Sequence, residues 1–92
     1  MQSIQPGPIL PLGGQQVTCV LPPVHVSPPL PGESGLRLWC LSDTEEPAAA
    51  LTWLVAFTGP FHGPPPGFTY WTSVEVQPEY GITAHVFTRR TQ

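Results

Sequence analysis

Proline is the residue that most restricts what this chain can become. Eight of its 14 prolines fall between Pro6 and Pro31, whereas Gly32–Ala56 and Phe68–Gln92 hold only Pro47 and Pro78. Proline has no amide proton and a fixed φ, so a stretch this dense in it is expected neither to pair within a sheet nor to wind into a helix. The expected layout is an extended proline-rich N-terminal arm, residues 1–14, attached to a small β-domain, residues 15–92, with a proline-rich loop at 22–32. Pro6, Pro8 and Pro11 favour polyproline II backbone in the arm, and Gly13–Gly14 forms a flexible joint. The arm also carries Ile4, Ile9, Leu10 and Leu12. A linker that merely floats is usually polar, so these four aliphatic side chains read as a docking set.

Downstream, alternation of apolar and polar residues marks strands. Gln15–Leu21 is a short strand closed by Pro22–Pro23. Gly35–Ser42 places Leu36, Leu38 and Cys40 on one face and Arg37, Trp39 and Leu41 on the other, and the second face is too apolar to be left to solvent. Ala49–Thr58 alternates Leu51, Trp53, Val55 and Phe57 against Thr52, Leu54, Ala56 and Thr58, which favours a strand. A helix capped by Ser42 or Thr44, with Glu45 and Glu46 in its first turn, is the competing reading. Phe68–Gln77 sets Phe68, Tyr70, Thr72, Val74 and Val76 against Thr69, Trp71, Ser73, Glu75 and Gln77. Ile82–Arg89 alternates again, and the short Pro78–Gly81 turn makes the last two strands an antiparallel hairpin. The fold class that follows is mainly β, a small antiparallel barrel or sandwich of four to five strands.

Composition narrows the partners. Only 10% of the residues are charged, against about 25% in a typical domain, and lysine and asparagine are absent. Scarce charge together with 40% hydrophobic residues points to a surface partly covered by another chain, although a GC-rich coding sequence gives the same bias. A domain this short is marginal without a disulfide, a metal or a partner. The net charge of −3 argues against nucleic acid, because phosphate binding needs clustered Lys or Arg and only Arg89–Arg90 forms such a pair. The longest apolar run, Ala48–Phe57, is far short of the roughly 20 residues of a spanning helix, so no membrane partner is expected. Residues Met1–Leu12 have neither a basic n-region nor a continuous apolar h-region. The expected location is therefore the cytoplasm or a virion-type assembly.

No chemical motif accompanies this architecture. His25, His62, His85, Cys19, Cys40, Asp43, Glu45 and Glu46 show no metal-ligand spacing. The serines lack a G-x-S-x-G elbow, and neither cysteine has an activating neighbourhood. The glycines form no phosphate-binding turn that feeds a helix. No metal, cofactor, nucleotide or small-molecule substrate is expected, and the chain reads as non-enzymatic. Cys19 shares a face with Val17 and Leu21, and Cys40 with Leu36 and Leu38. Two reduced core thiols are the favoured reading and a disulfide the alternative. Pro8–Pro11 and Pro28–Pro31 match P-x-x-P formally, without the adjacent basic residue that such ligands usually carry.

Two functional readings follow. In the first, the chain is a structural subunit of a large assembly. It docks on other protein subunits through Ile4, Ile9, Leu10 and Leu12 of the arm and through Trp39, Leu41, Leu54 and Trp71 on the strands. A small β-domain with a proline- and glycine-bearing arm resembles, in architecture, the decoration proteins of tailed-phage heads. That resemblance implies clustering on a capsid shell, with the major capsid protein and copies of itself as partners, and stabilisation of the particle. In the second reading the chain is a free-standing protein-binding module or inhibitor, presenting Trp53, Trp71 or the loop His62–Phe68 as rigid aromatic anchors.

Overall fold

A computed structural model describes residues 2–43, 51–59 and 63–91. Among these residues the chain forms seven strands: β1 (Gln2–Pro11), β2 (Val17–Cys19), β3 (Pro23–Ser27), β4 (Gly35–Asp43), β5 (Leu51–Thr58), β6 (Thr69–Gln77) and β7 (Ile82–Thr91). They assemble into two antiparallel sheets, one ordered β1-β4-β3 and the other β2-β5-β7-β6. Neither sheet closes on itself, so the two pack as layers and not as a barrel. A 3-10 turn at Pro78–Tyr80, ended by Gly81, joins β6 to β7 as the expected hairpin.

One core lies between the sheets. Leu10, Val26, Leu36, Leu38 and Cys40 enter it from the first, and Cys19, Leu54, Ala56, Ala84 and Val86 from the second. Cys19 and Cys40 are buried, unbonded thiols. β4 keeps the alternation read from Gly35–Ser42, with Arg37, Trp39 and Leu41 half-buried on its outer face. That face has its own cover. The Arg37 guanidinium lies 5.7 Å from the Trp39 ring centroid, Glu33 pairs with Arg37 at 3.3 Å, and the Trp39 indole donates to Ser27 Oγ at 3.1 Å.

Residues 51–58 are a strand, and their position explains why. β5 lies between β2 and β7. Leu54 and Ala56 are buried on its inner face and Val55 on its outer face, whereas a surface helix would cover a single stripe. The turn residues 44–47 and Ala49–Ala50 lie outside the described residues, as does His62.

The segment expected to be an arm is a strand, and the strand count is higher than four to five. β1 pairs with β4 from Gln2 opposite Asp43, through Ile4 opposite Leu41, to Pro11 opposite Gly35. Likewise, the expected loop at 22–32 contains β3. Dense proline is compatible with pairing here because β1 and β3 are the edges of their sheet. An edge strand points alternate N–H groups away from its neighbour, so a missing donor there interrupts no ladder. A register shift between Pro6 and Ile9 absorbs Gly7 and Pro8 and changes the phase of β1. Ile9 then lies opposite Arg37 on the outer face, while Leu10 turns inward opposite Leu36. The Gly13–Gly14 joint is also held. Gly14 donates its N–H to the Ala56 carbonyl at 3.0 Å with a φ of 83°, and a Cβ there would stand 2.5 Å from the Phe57 ring. A left-handed backbone pressed against an aromatic ring admits only glycine.

If β1 belongs to the fold, truncating its inward side chain must weaken the whole domain. Leu10→Ala is expected to lower the unfolding free energy by about 2–5 kcal/mol. Ile4→Ala, at a side chain 65% exposed, should change it by less than about 0.5 kcal/mol. Urea denaturation of both variants checks this contrast; equal and negligible effects would mean that residues 1–14 stand free of the domain.

Candidate functional site

Three strands of one sheet face four of the other, and the excess falls at β6. β1 lies against β2 and β5, which aligns the two sheets on that side and leaves the far edge of the larger one short of cover. Among the described residues β6 pairs only with β7. A register shift between Tyr70 and Thr72 inserts Trp71 as an extra residue. Tyr70 therefore faces outward opposite Phe87, while Thr72 and Val74 face inward opposite Val86 and Ala84. The single face read from Phe68 to Val76 is broken at this point, because a bulge displaces a period-two pattern by one residue. Trp71, Val74 and Val76 pack against the border of the core and stay half-buried.

Clefts follow this border. One of about 290 Å³ lies between Val24, His25 and Val26 of β3 and Trp71–Val74 of β6. A cleft of about 160 Å³ continues past Trp71 to Pro22, Pro23, Thr52, Thr88 and Arg90. A larger one of about 660 Å³ lies at the other end of β6, between Val76, Gln77, Glu79 and Ile82 and the loop from Pro29 to Ser34, with Leu12 beneath. The two flanking strands, β3 and β6, are both sheet edges. Charge differs along the groove, with Arg90 at the Trp71 end and Glu33 and Glu79 at the opposite end.

The outer face of the four-stranded sheet is built differently. Val55, Phe68 and Phe87 are buried there with Trp53 packed against them. Phe87 meets Phe57 and Tyr70 edge-on, at centroid distances of 6.1 and 5.9 Å. The Arg89 guanidinium lies 5.2 Å from the Trp53 ring centroid and 5.3 Å from that of Phe68. Beside this cluster the Tyr70 hydroxyl meets Ser73 Oγ at 2.6 Å, and Ser73 Oγ meets His85 Nδ1 at 2.9 Å. The Ser73–His85 contact has the length of a nucleophile–base pair. Acyl transfer also needs oxyanion donors in a water-excluding site, and Ser73 and Tyr70 are exposed on an edge strand. Ser73 and His85 directly oppose each other on β6 and β7, and such cross-strand pairs stabilise a sheet.

The residues singled out for docking separate into distinct environments. Leu10 and Leu54 are 0% exposed in the chain's own core and have no surface to offer. Leu12 and Trp71 pack against that core at the groove. Trp39 and Leu41 are half-buried on the outer face of the three-stranded sheet, with Ile4 and Ile9 exposed beside them on β1. Sequence reasoning missed Val24, Val74, Val76 and Arg90 as groove residues, since nothing local marks the strand that lacks a cover. Among the described residues no three His, Cys, Asp or Glu side chains converge as metal ligands, and no helix is long and apolar enough to cross a membrane. Comparison with protein-family models, curated proteins and solved structures finds no match to this chain.

Opposing terms meet at Arg89. Each guanidinium–ring contact contributes about 0.5–1 kcal/mol. Its Nε is buried with no hydrogen-bond partner among the described residues, which costs about 1–3 kcal/mol. Arg89→Met keeps the packing of the stem and is expected to change stability by less than about 1 kcal/mol. Arg89→Ala loses that packing too and should be the less stable variant in denaturant titrations.

Proposed function

We propose that this chain is a non-enzymatic protein-binding module that takes an extended segment of another protein into the groove between β3 and β6. One observation carries the reading: the unequal sheets leave the inner side chains of edge strand β6 half-covered directly beside the open edge of β3. An added strand would pair with β3, bring the smaller sheet to the width of the larger, and lay every second side chain over Trp71, Val74 and Val76. Backbone pairing supplies affinity in this mode, and the alternate side chains supply selectivity. Glu33 is already paired with Arg37, so Glu79 and Arg90 set the polarity. The favoured segment carries an acid near Arg90 and a base near Glu79.

Selection of a random peptide library on the immobilised chain tests this. Enriched peptides are expected to alternate apolar and polar residues and to shift the backbone amide resonances of Val24–Ser27 and Trp71–Val76. Trp71→Ala should weaken them by about tenfold or more, with retention of the fold checked by the variant's own spectrum. Binders that perturb neither β3 nor the inner side of β6 would sink the reading.

A second reading, a repeated subunit of a large assembly such as a decorating protein of a viral shell, has separate support. Ile4 and Ile9 on β1, with Val20 after β2, are 65%, 43% and 60% exposed, and they lie at the side of the molecule away from the groove. A chain with docking surfaces on opposite sides can link neighbours on both. Sedimentation across a concentration series is expected to show self-association that Ile4→Glu abolishes. A monomer at every concentration, with or without the substitution, would leave the module reading alone.

A further inference from the structure

We infer that Cys19 and Cys40 form an oxidation site, at which a low-molecular-weight disulfide of the glutathione class converts the two thiols into a cystine joining the two sheets. Cys19 ends β2 at the edge of the four-stranded sheet, and Cys40 lies in β4, the middle strand of the other. Both turn into the interface, are 3% and 2% exposed, and belong to the same core cluster and the same cleft wall. Gly7, in the bulge of β1, makes room for the Cys40 sulfur, because a Cβ at that position would stand 2.7 Å from Cys40 Sγ. A cleft of about 290 Å³ bordered by Pro6, Gly7, Pro8 and Val20 reaches both cysteines and provides a path for the reagent. The site lies away from the groove and does not depend on the binding role proposed above.

The order of steps follows from the environment of each sulfur. Burial pushes the Cys19 thiol up to about 12 and raises Cys40 as well, while Cys19 acts in the opposite sense at Cys40 and favours its thiolate. Cys40, whose Sγ lies against Gly7 where the cleft reaches the pair, is the attacking sulfur. Its thiolate bonds to one sulfur of the reagent, the reagent's S–S bond breaks, and the departing thiolate takes up the proton that Cys40 released. Cys19 then loses its proton and attacks the Cys40 sulfur of the mixed disulfide. The second half of the reagent leaves, carries that proton away as a thiol, and the Cys19–Cys40 bond forms. Two protein thiols are oxidised while one reagent disulfide is reduced to two thiols. Because both protein thiols lie above their ordinary range, the reaction is slow at neutral pH and quickens as pH rises.

The test treats the folded, reduced chain with oxidised glutathione at mildly alkaline pH, followed by intact mass and peptide mapping. The expected product has lost two hydrogen atoms, retains no glutathione and yields a Cys19–Cys40 cross-linked peptide. Its thermal midpoint should rise by about 5–20 °C and return on reduction with dithiothreitol. Cys19→Ser is expected to stop at a glutathione adduct on Cys40. Thiols that react only after urea is added, glutathione retained on the native chain, or cross-links between chains would each overturn the inference. The wild-type product decides the matter even if the variant fails to fold.

Discussion

Backbone hydrogen bonding sets the terms for the rest of this molecule. A residue without an N–H can be placed only where no neighbouring strand needs one. All the prolines inside described strands, Pro6, Pro8, Pro11 and Pro23, lie in β1 and β3, the edges of the three-stranded sheet. The interior strands β4, β5 and β7 have none in their described stretches. Proline thus leaves the central ladders intact while making β1 a poor template for another strand. β3 carries a single proline, at its first residue, and so keeps more of its edge open. The same residue that shapes the fold thereby biases which side of it can accept a partner.

The groove follows from a mismatch in strand number, since a fourth strand in the smaller sheet would cover Trp71, Val74 and Val76. The outer sheet faces are covered in part from within the chain. Two of the three arginines, Arg37 and Arg89, lie over tryptophan rings, and Ser27 takes the indole hydrogen of Trp39. Scarce charge is therefore a weaker sign of a covered surface than composition alone implies. Several of its large apolar side chains are capped from within the chain, and the exposed ones are spread over edge strands, β5, β7 and the connecting loops. Opposite the groove, Cys19 and Cys40 share the core between the sheets, in a space that Gly7 leaves open.

Much of the interior was legible from residue order. Leu36, Leu38 and Cys40 face inward as their alternation requires, and β6–β7 is the hairpin its short turn demands. The edges were not legible. Proline density around Ile4–Leu12 reads as an arm when each residue is judged alone, and as a strand only once β4 is beside it. Leu10 and Leu54 look like docking residues by type and are core residues by position. Of the candidate site only Leu12 and Trp71 were visible, and Trp71 was assigned to the wrong face because strict alternation takes no account of the inserted residue at the bulge.

By itself, the sequence determined that the chain is mainly β, which residues of β4 share a face, and where the last hairpin turns, while it left residues 51–58 open between strand and helix. Those features depend on a two-residue period and on turn geometry, which are properties of a single strand and its immediate neighbours in the chain. Only the tertiary structure decided that β1 and β3 flank β4, that β6 is an edge among the described strands, and that two thiols far apart in sequence share one core. Edge position, strand number per layer and contacts across layers depend on which strands come together, and no local pattern of residues encodes that choice.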